Sequence, residues 1–207
     1  MHVSFNRFNE NYMNRTFLYI LVILSLLSCN QNKLPEQSAF TNRSEMRLDS
    51  IGDPVIESNL TKQLNEYLDA MWGGNIDKAI DYCYSDMFIW MKNELPEQYS
   101  MDLVKGYFKQ LMEDFRSQQA KSGLEIEFKI GDIIKRIDLG QDKIYMIVTY
   151  IKGKKGYDEY SLGDVTIAIS NNNGKDWKFL AREEESTPPI IRMKYSEEIV
   201  QEIMKKD

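Results

Sequence analysis

The sequence predicts an α+β domain, and three observations carry that expectation. Apolar residues recur at helical spacing from Val55 to Met71 and again from Leu103 to Phe115. The period switches to two at Leu124, and Asn171-Asn172-Asn173-Gly174 punctuates the strands that follow. Helices first and strands afterwards, rather than in alternation, is the α+β order.

Val55, Ile56, Leu60, Leu64, Tyr67, Leu68 and Met71 form one side of a first helix that stops at Gly73-Gly74. Asn75 is placed to cap a second, short helix with Ile76, Ala79, Ile80 and Cys83 on its apolar side. Cys83 reads there as a core residue, since no histidine stands ready to activate it and a buried thiol is inert. Residues 86–92, DMFIWMK, are short and aromatic, and their type is open between helix and strand. After the turn-like ELPEQY, Ser100 caps a long helix whose Leu103, Val104, Tyr107, Phe108, Leu111, Met112 and Phe115 share a side; it should end between Ser117 and Gly123.

From Leu124 to Ile130 apolar residues alternate with Glu125, Glu127 and Lys129, a strand with one wet face. Ile144 to Ile151 is apolar on both faces and should be central. GYDEYSLGDVTIAIS is a third strand, NNNG the hairpin turn after it, and KDWKFLARE the return strand. Pro188-Pro189 is expected to end that strand, and YSEEIVQEIMKKD to form a terminal helix with Ile199 and Ile203 on one side.

The chain begins differently. Arg7 and Arg15 flank Glu10, and Phe17 to Leu27 is apolar apart from Tyr19 and Ser25, the two regions of a secretory signal. The run of about 11 residues is short of the roughly 20 that span a bilayer. Leu26, Leu27, Ser28 and Cys29 resemble the lipobox of bacterial lipoproteins. That resemblance implies that residues 1–28 are removed and that Cys29 is lipidated, which anchors the protein to a membrane. Asn30 in place of an aspartate implies the outer membrane over the inner, in a bacterial cell envelope, facing the periplasm. Residues 29–54 then form a lipidated cysteine and a polar tether without sustained periodicity.

Loss of residues 1–28 takes Arg7, Arg15 and Glu10 from totals of 26 basic and 32 acidic residues, so the net charge moves from −6 to −7. That sign argues against nucleic acid as a partner. The sole histidine, His2, is lost as well, which removes histidine triads, imidazole metal ligands and histidine acid–base chemistry. No catalytic residue, metal ligand or cofactor motif is expected.

YLDAMWGGNIDKAIDYCYSDM and NNNGKDWKFL are similar to two pieces of the nuclear transport factor 2-like superfamily, also called SnoaL-like or cystatin-like. The first piece corresponds to the family's opening helices and the second to its last hairpin. The resemblance covers residues 57–185 and implies a domain over 55–187 in which a strongly curved antiparallel sheet wraps the N-terminal helices as a cone. Residues 188–207 would add a C-terminal helical tail. It further implies a ligand cavity or a protein-binding sheet face, and a homodimer among the assemblies formed.

Within that frame Tyr67, Trp72, Trp90 and Tyr107 are the candidate pocket residues, because tyrosine and tryptophan join apolar area to a polar tip. Asp132, Asp138 and Asp164 lie on or beside strands, where an acid–base group of a catalytic member would sit, though aspartate is also favoured where strands end. IKGKKGYDEY, residues 151–160, reads as a solvated basic hairpin tip, and the three acids of REEES, 182–186, as a charged edge. Three functions follow. A lipid-anchored envelope module holding a small apolar ligand or a partner protein is favoured over an isomerase- or hydratase-like enzyme and over an accessory subunit of an envelope complex.

Overall fold

The computed structural model describes residues 47–48, 52–97, 99–123, 125–155 and 158–205. The expected signal segment 1–28 and the expected lipidation site Cys29 lie outside them. Six helices are described: α1 (Pro54–Gly73), α2 (Ile76–Tyr82), α3 (Ser85–Glu94), α4 (Met101–Ser122), α5 (Thr187–Arg192) and α6 (Glu197–Met204). The strands are β1 (Arg47–Leu48), β2 (Glu125–Leu139), β3 (Asp142–Lys155), β4 (Asp158–Ser170) and β5 (Lys178–Ala181). They form one open antiparallel meander in the order β1-β2-β3-β4-β5, so the protein is α+β. Among the described residues no helix is long and apolar enough to cross a membrane.

The helix ends follow from local chemistry. Asp53 accepts the Val55 and Ile56 N–H groups, Asn75 that of Lys78, and Ser100 that of Leu103, which satisfies donors a helix start leaves open. Gly74 and Gly123 close α1 and α4 in the left-handed region, at φ 78° and 65°, where a Cβ is penalised. Residues 85–94 are a helix, which resolves the ambiguity of that segment. It has no side-chain cap and no fully buried residue, so neither of the usual sequence signals marks it.

Register decides which residues share a face, because partners across a ladder point the same way. Tyr145 and Ile147 of β3, Ala168 of β4 and Phe179 of β5 lie on one face and pack with Leu60 and Leu64 of α1. Ile137, Ile144, Ile167, Ile169 and Leu180 lie on the other, and Ile190, Ile191, Ile199, Val200 and Ile203 of α5 and α6 cover them, with Tyr84 beside α3. Thus Ile144 to Ile147 are each at most 2% exposed, and β3 is the central strand its two apolar faces predict.

Three features differ from expectation. Pro188 does not stop a strand: β5 ends at Ala181, and the prolines open α5, where a missing N–H costs nothing. The last part of the expected tether contributes β1, which pairs Arg47 with Asp138 and Leu48 with Ile137. β2 runs on past Ile130 through a bulge at 131–132. There Tyr150 lies over two glycines; a Cβ on Gly131 would meet its ring at 2.6 Å, which the ring could take only by shifting, and one on Gly163 would meet it at a tight 3.1 Å.

Candidate functional site

The four aromatic candidates do not converge. Tyr67 stacks on Phe179, ring centres 5.3 Å apart, and meets Tyr82 edge-on, inside the α1 face of the core. Trp72 is stacked on Phe128 at 4.1 Å and packs against Phe115 at 4.9 Å, which ties the end of α1 to α4 and β2. Trp90 packs against the cluster on the opposite face of the sheet. Tyr107 is exposed on α4. Three of the four are therefore spent on packing between elements, Tyr67 and Trp90 in clusters on opposite faces of the sheet and Trp72 between α1, α4 and β2.

Cys83 is buried, its thiol 3.5 Å from the Ala79 carbonyl, and burial pushes its pKa up to about 11. It is a core residue, as read from the sequence. Burial likewise pushes the Tyr67 hydroxyl well above the ordinary phenol range.

A depression of about 200 Å³ lies elsewhere among the described residues, lined by Asp164, Val165, Arg182, Glu184 and Met204. It opens where β5 leaves the sheet: the Arg182 N–H donates to the Val165 carbonyl at 2.9 Å, and the chain then turns into α5. The turn is held by Thr187, whose Oγ1 donates to the Ala181 carbonyl at 2.9 Å and accepts the Glu183 N–H at 2.8 Å. Arg182 reaches across to α6, its Nη2 donating to the carbonyls of Met204 at 3.2 Å and Lys205 at 3.1 Å, where a cation suits the end of a helix.

Of the three strand aspartates, Asp132 is exposed in the bulge. Asp138 accepts from Lys143 Nζ at 2.8 Å and from the Gly140 N–H at 2.9 Å, a turn and ion-pair role. Asp164 differs. Desolvation raises its carboxyl above the ordinary aspartate value, against the pull of the Val165 N–H at 2.7 Å and the Arg182 charge. Glu183 is raised for the same reason and by the charges of Asp164 and Glu185, against the Ser186 hydroxyl at 3.2 Å. As a whole residue Asp164 still meets solvent, so the desolvation falls on its carboxyl group and its effect on stability is screened.

A carboxyl whose folded pKa is raised contributes stability that is present below its unfolded value and lost as pH rises through the folded one. Asp164→Asn, which keeps an acceptor for the Val165 N–H, is therefore expected to raise Tm at pH 7 and to do so by more than at pH 4. Thermal melts at both values check this; a lower Tm for the variant at pH 7 contradicts it.

The two charged runs singled out in the sequence take different roles. In the β3–β4 hairpin, Lys152 lies opposite Glu127, and Lys154 opposite Glu125 and Glu159, so alternating charges face one another across the ladder. REEES forms the turn after β5 and supplies two residues of the depression. Glu184 and Arg182 thus sit in a run that was legible as charged, whereas Val165 and Met204 carry no sequence signal. Their meeting depends on α6 docking against the end of β5. Among the described residues no three histidine, cysteine or acidic side chains are grouped to hold a metal ion.

The fold and the depression define an α+β protein with a small, partly anionic surface site. No family model, no curated protein and no solved structure matches the chain.

Proposed function

We propose that the chain is a lipid-anchored binding module of the bacterial cell envelope, attached through Cys29 and facing the periplasm, with the outer membrane favoured over the inner. Its domain is read as nuclear transport factor 2-like, with the long helices on one face of the meander and the bulge in β2 as the site of sheet curvature. One observation carries the choice of partner. Tyr67, Trp72 and Trp90, which would line a ligand cavity, are each packed in a different part of the domain, and the depression beside the end of β5, about 200 Å³, is smaller than the about 300–1,000 Å³ of small-molecule sites. A partner protein is favoured over a small apolar ligand on that ground.

Both core clusters are built from residues 56–204, which fits a domain that folds beyond its anchor. Cys29→Ala is accordingly expected to move the protein from the membrane to the soluble fraction with its thermal melt unchanged. Membrane attachment that survives the substitution in fractionated cells would sink the anchor.

A second reading is favoured by Asp164 and Glu183, two carboxyls raised by desolvation beside one depression. An acid–base enzyme of the isomerase or hydratase kind needs such a pair, one protonated and one ionised. Its mark is a reaction on a carbonyl substrate abolished by Asp164→Asn, and turnover that survives this change removes Asp164 from the chemistry.

A further inference from the structure

Five segments meet at one end of the sheet. β1 pairs Leu48 with Ile137 and Arg47 with Asp138, next to the β2–β3 turn. In the β4–β5 turn the Asn173 N–H donates to the Gln141 carbonyl of that turn at 2.8 Å. The start of α1 lies alongside, since Glu57 accepts from Arg136 Nε at 2.7 Å and the Asn59 side-chain amide donates to the Gly174 carbonyl at 2.7 Å. Lys194, in the turn between α5 and α6, reaches the Asp142 carboxylate at 2.7 Å. From Asp142 β3 runs to the β3–β4 hairpin at Lys155, about 45 Å along the strand at the usual rise per residue.

Three of these segments leave an apolar side chain in solvent. Leu48 is 43% exposed, Met193 40%, and Val55 78%, the most of any large apolar residue among those described. The charges around them are matched in pairs: Glu57 with Arg136, Asp138 with Lys143 at 2.8 Å, and Asp142 with Lys194. The two turns between them are uncharged at Gly140, Gln141 and Asn171 to Asn173. An acidic chain is repelled by an anionic leaflet, so it approaches one most readily through a surface whose acids are already paired.

The chain also enters the domain at this end. Seventeen residues, 30–46, stand between Cys29 and Arg47, and a chain of that length reaches at most about 60 Å. With Cys29 in a bilayer, so short a connection holds the domain at the lipid surface at an effective concentration on the order of millimolar. Interfacial binding scales with the apolar area it buries. Three side chains are a weak contact for a free domain, and enough to orient a tethered one.

We propose that this end of the domain rests on the lipid surface, with Leu48, Val55 and Met193 among the headgroups and the β3–β4 hairpin turned away from the bilayer. The inference rests on the anchor at Cys29 proposed above and adds the face that the anchored domain turns to the membrane.

The test uses the full chain, extracted from membranes in detergent and reconstituted in vesicles of phosphatidylethanolamine and phosphatidylglycerol. An environment-sensitive fluorophore is placed on Val55→Cys, Met193→Cys or Lys154→Cys, all exposed positions, while Cys83 is buried and Cys29 is blocked by its lipid. A nitroxide-bearing lipid is expected to quench the labels at 55 and 193 and to leave the one at 154 bright. Val55→Asp with Met193→Asp should lower the population in contact, read from a label on Leu48→Cys, by about tenfold with the thermal melt unchanged.

Flotation of the vesicles reports the anchor separately. A chain that floats while all three labels are quenched alike, or while 154 is quenched most, overturns the proposed face and leaves the anchor standing. So does a chain that floats with no label quenched, or one whose quenching at 48 survives both aspartates. A chain that stays with the soluble fraction removes the anchor and the inference together.

Discussion

A chain that stops after Ser186 is expected not to fold. The residues it lacks include Ile190, Ile191, Ile199, Val200 and Ile203, each at most 8% exposed and packed on Ile137, Ile144, Ile167 and Ile169 of the sheet. Burial of five such side chains contributes about 7–15 kcal/mol, as much as the whole net stability of a domain, about 5–15 kcal/mol. The loss is compounded by charge. Lys135 is buried on the same side and donates to the Glu202 carbonyl at 2.9 Å, with the Glu202 carboxylate at 3.5 Å, so truncation strips a buried ammonium of these partners. The expected readout is an aggregated product with no cooperative thermal transition. A soluble product melting within a few degrees of the full chain would show that residues 187–207 are an appendage.

Phe179→Ala should be the most damaging single substitution on the opposite face. Phe179 is 2% exposed, stacks on Tyr67, and lies 6.0 Å from the Tyr82 ring, so three elements meet at its side chain. Its backbone adds a second tie, since the Tyr84 N–H donates to the Phe179 carbonyl at 3.0 Å and Cys83 forms a parallel bridge to it. Truncating a buried phenylalanine to alanine costs about 3–5 kcal/mol, and in a domain of this size that lowers Tm by about 6–20 °C. Phe179→Leu keeps most of the volume and should cost less than about 1.5 kcal/mol. Urea unfolding of both variants decides the matter; an alanine variant within 1 kcal/mol of the parent, on the order of a surface change, would mean that the Tyr67 and Tyr82 rings close over the gap.

The two experiments address opposite faces of one sheet, and that two-sidedness bears on function. α1 covers one face of the sheet at its core end, and α5 and α6 cover the other. At the β4 side of the sheet β5 is shorter than β4, and the turn after it carries Glu183, Glu184 and Glu185. In the proposed binding module the anchor and the folded domain act separately: Cys29 would set where the domain stands, and residues 52–205 what it meets.

Legibility from the sequence tracks how local each cause is. The limits of α1, α2 and α4 were readable because Asn75, Ser100 and Gly73-Gly74 act within one turn of their own position, and the Asn171–Gly174 turn because Asn173 and Gly174 take positive φ, 58° and 79°. The central place of β3 was readable because a strand buried on both faces is apolar at consecutive positions. Residues 85–94 hid their helix for want of a cap and of a buried stripe, and Pro188-Pro189 read as a stop because proline ends one element and opens the next with equal ease.

The sequence by itself determined the α+β order, the central strand, the inert character of Cys83 and the expectation of a lipid anchor, all from residues acting on near neighbours. Only the tertiary structure decided that the C-terminal helices cover the second face, that Tyr67, Trp72, Trp90 and Tyr107 part company, and that Asp164, Val165, Arg182, Glu184 and Met204 come together. Contacts between residues about twenty to forty positions apart depend on strand register and helix docking, and no period in the chain encodes either.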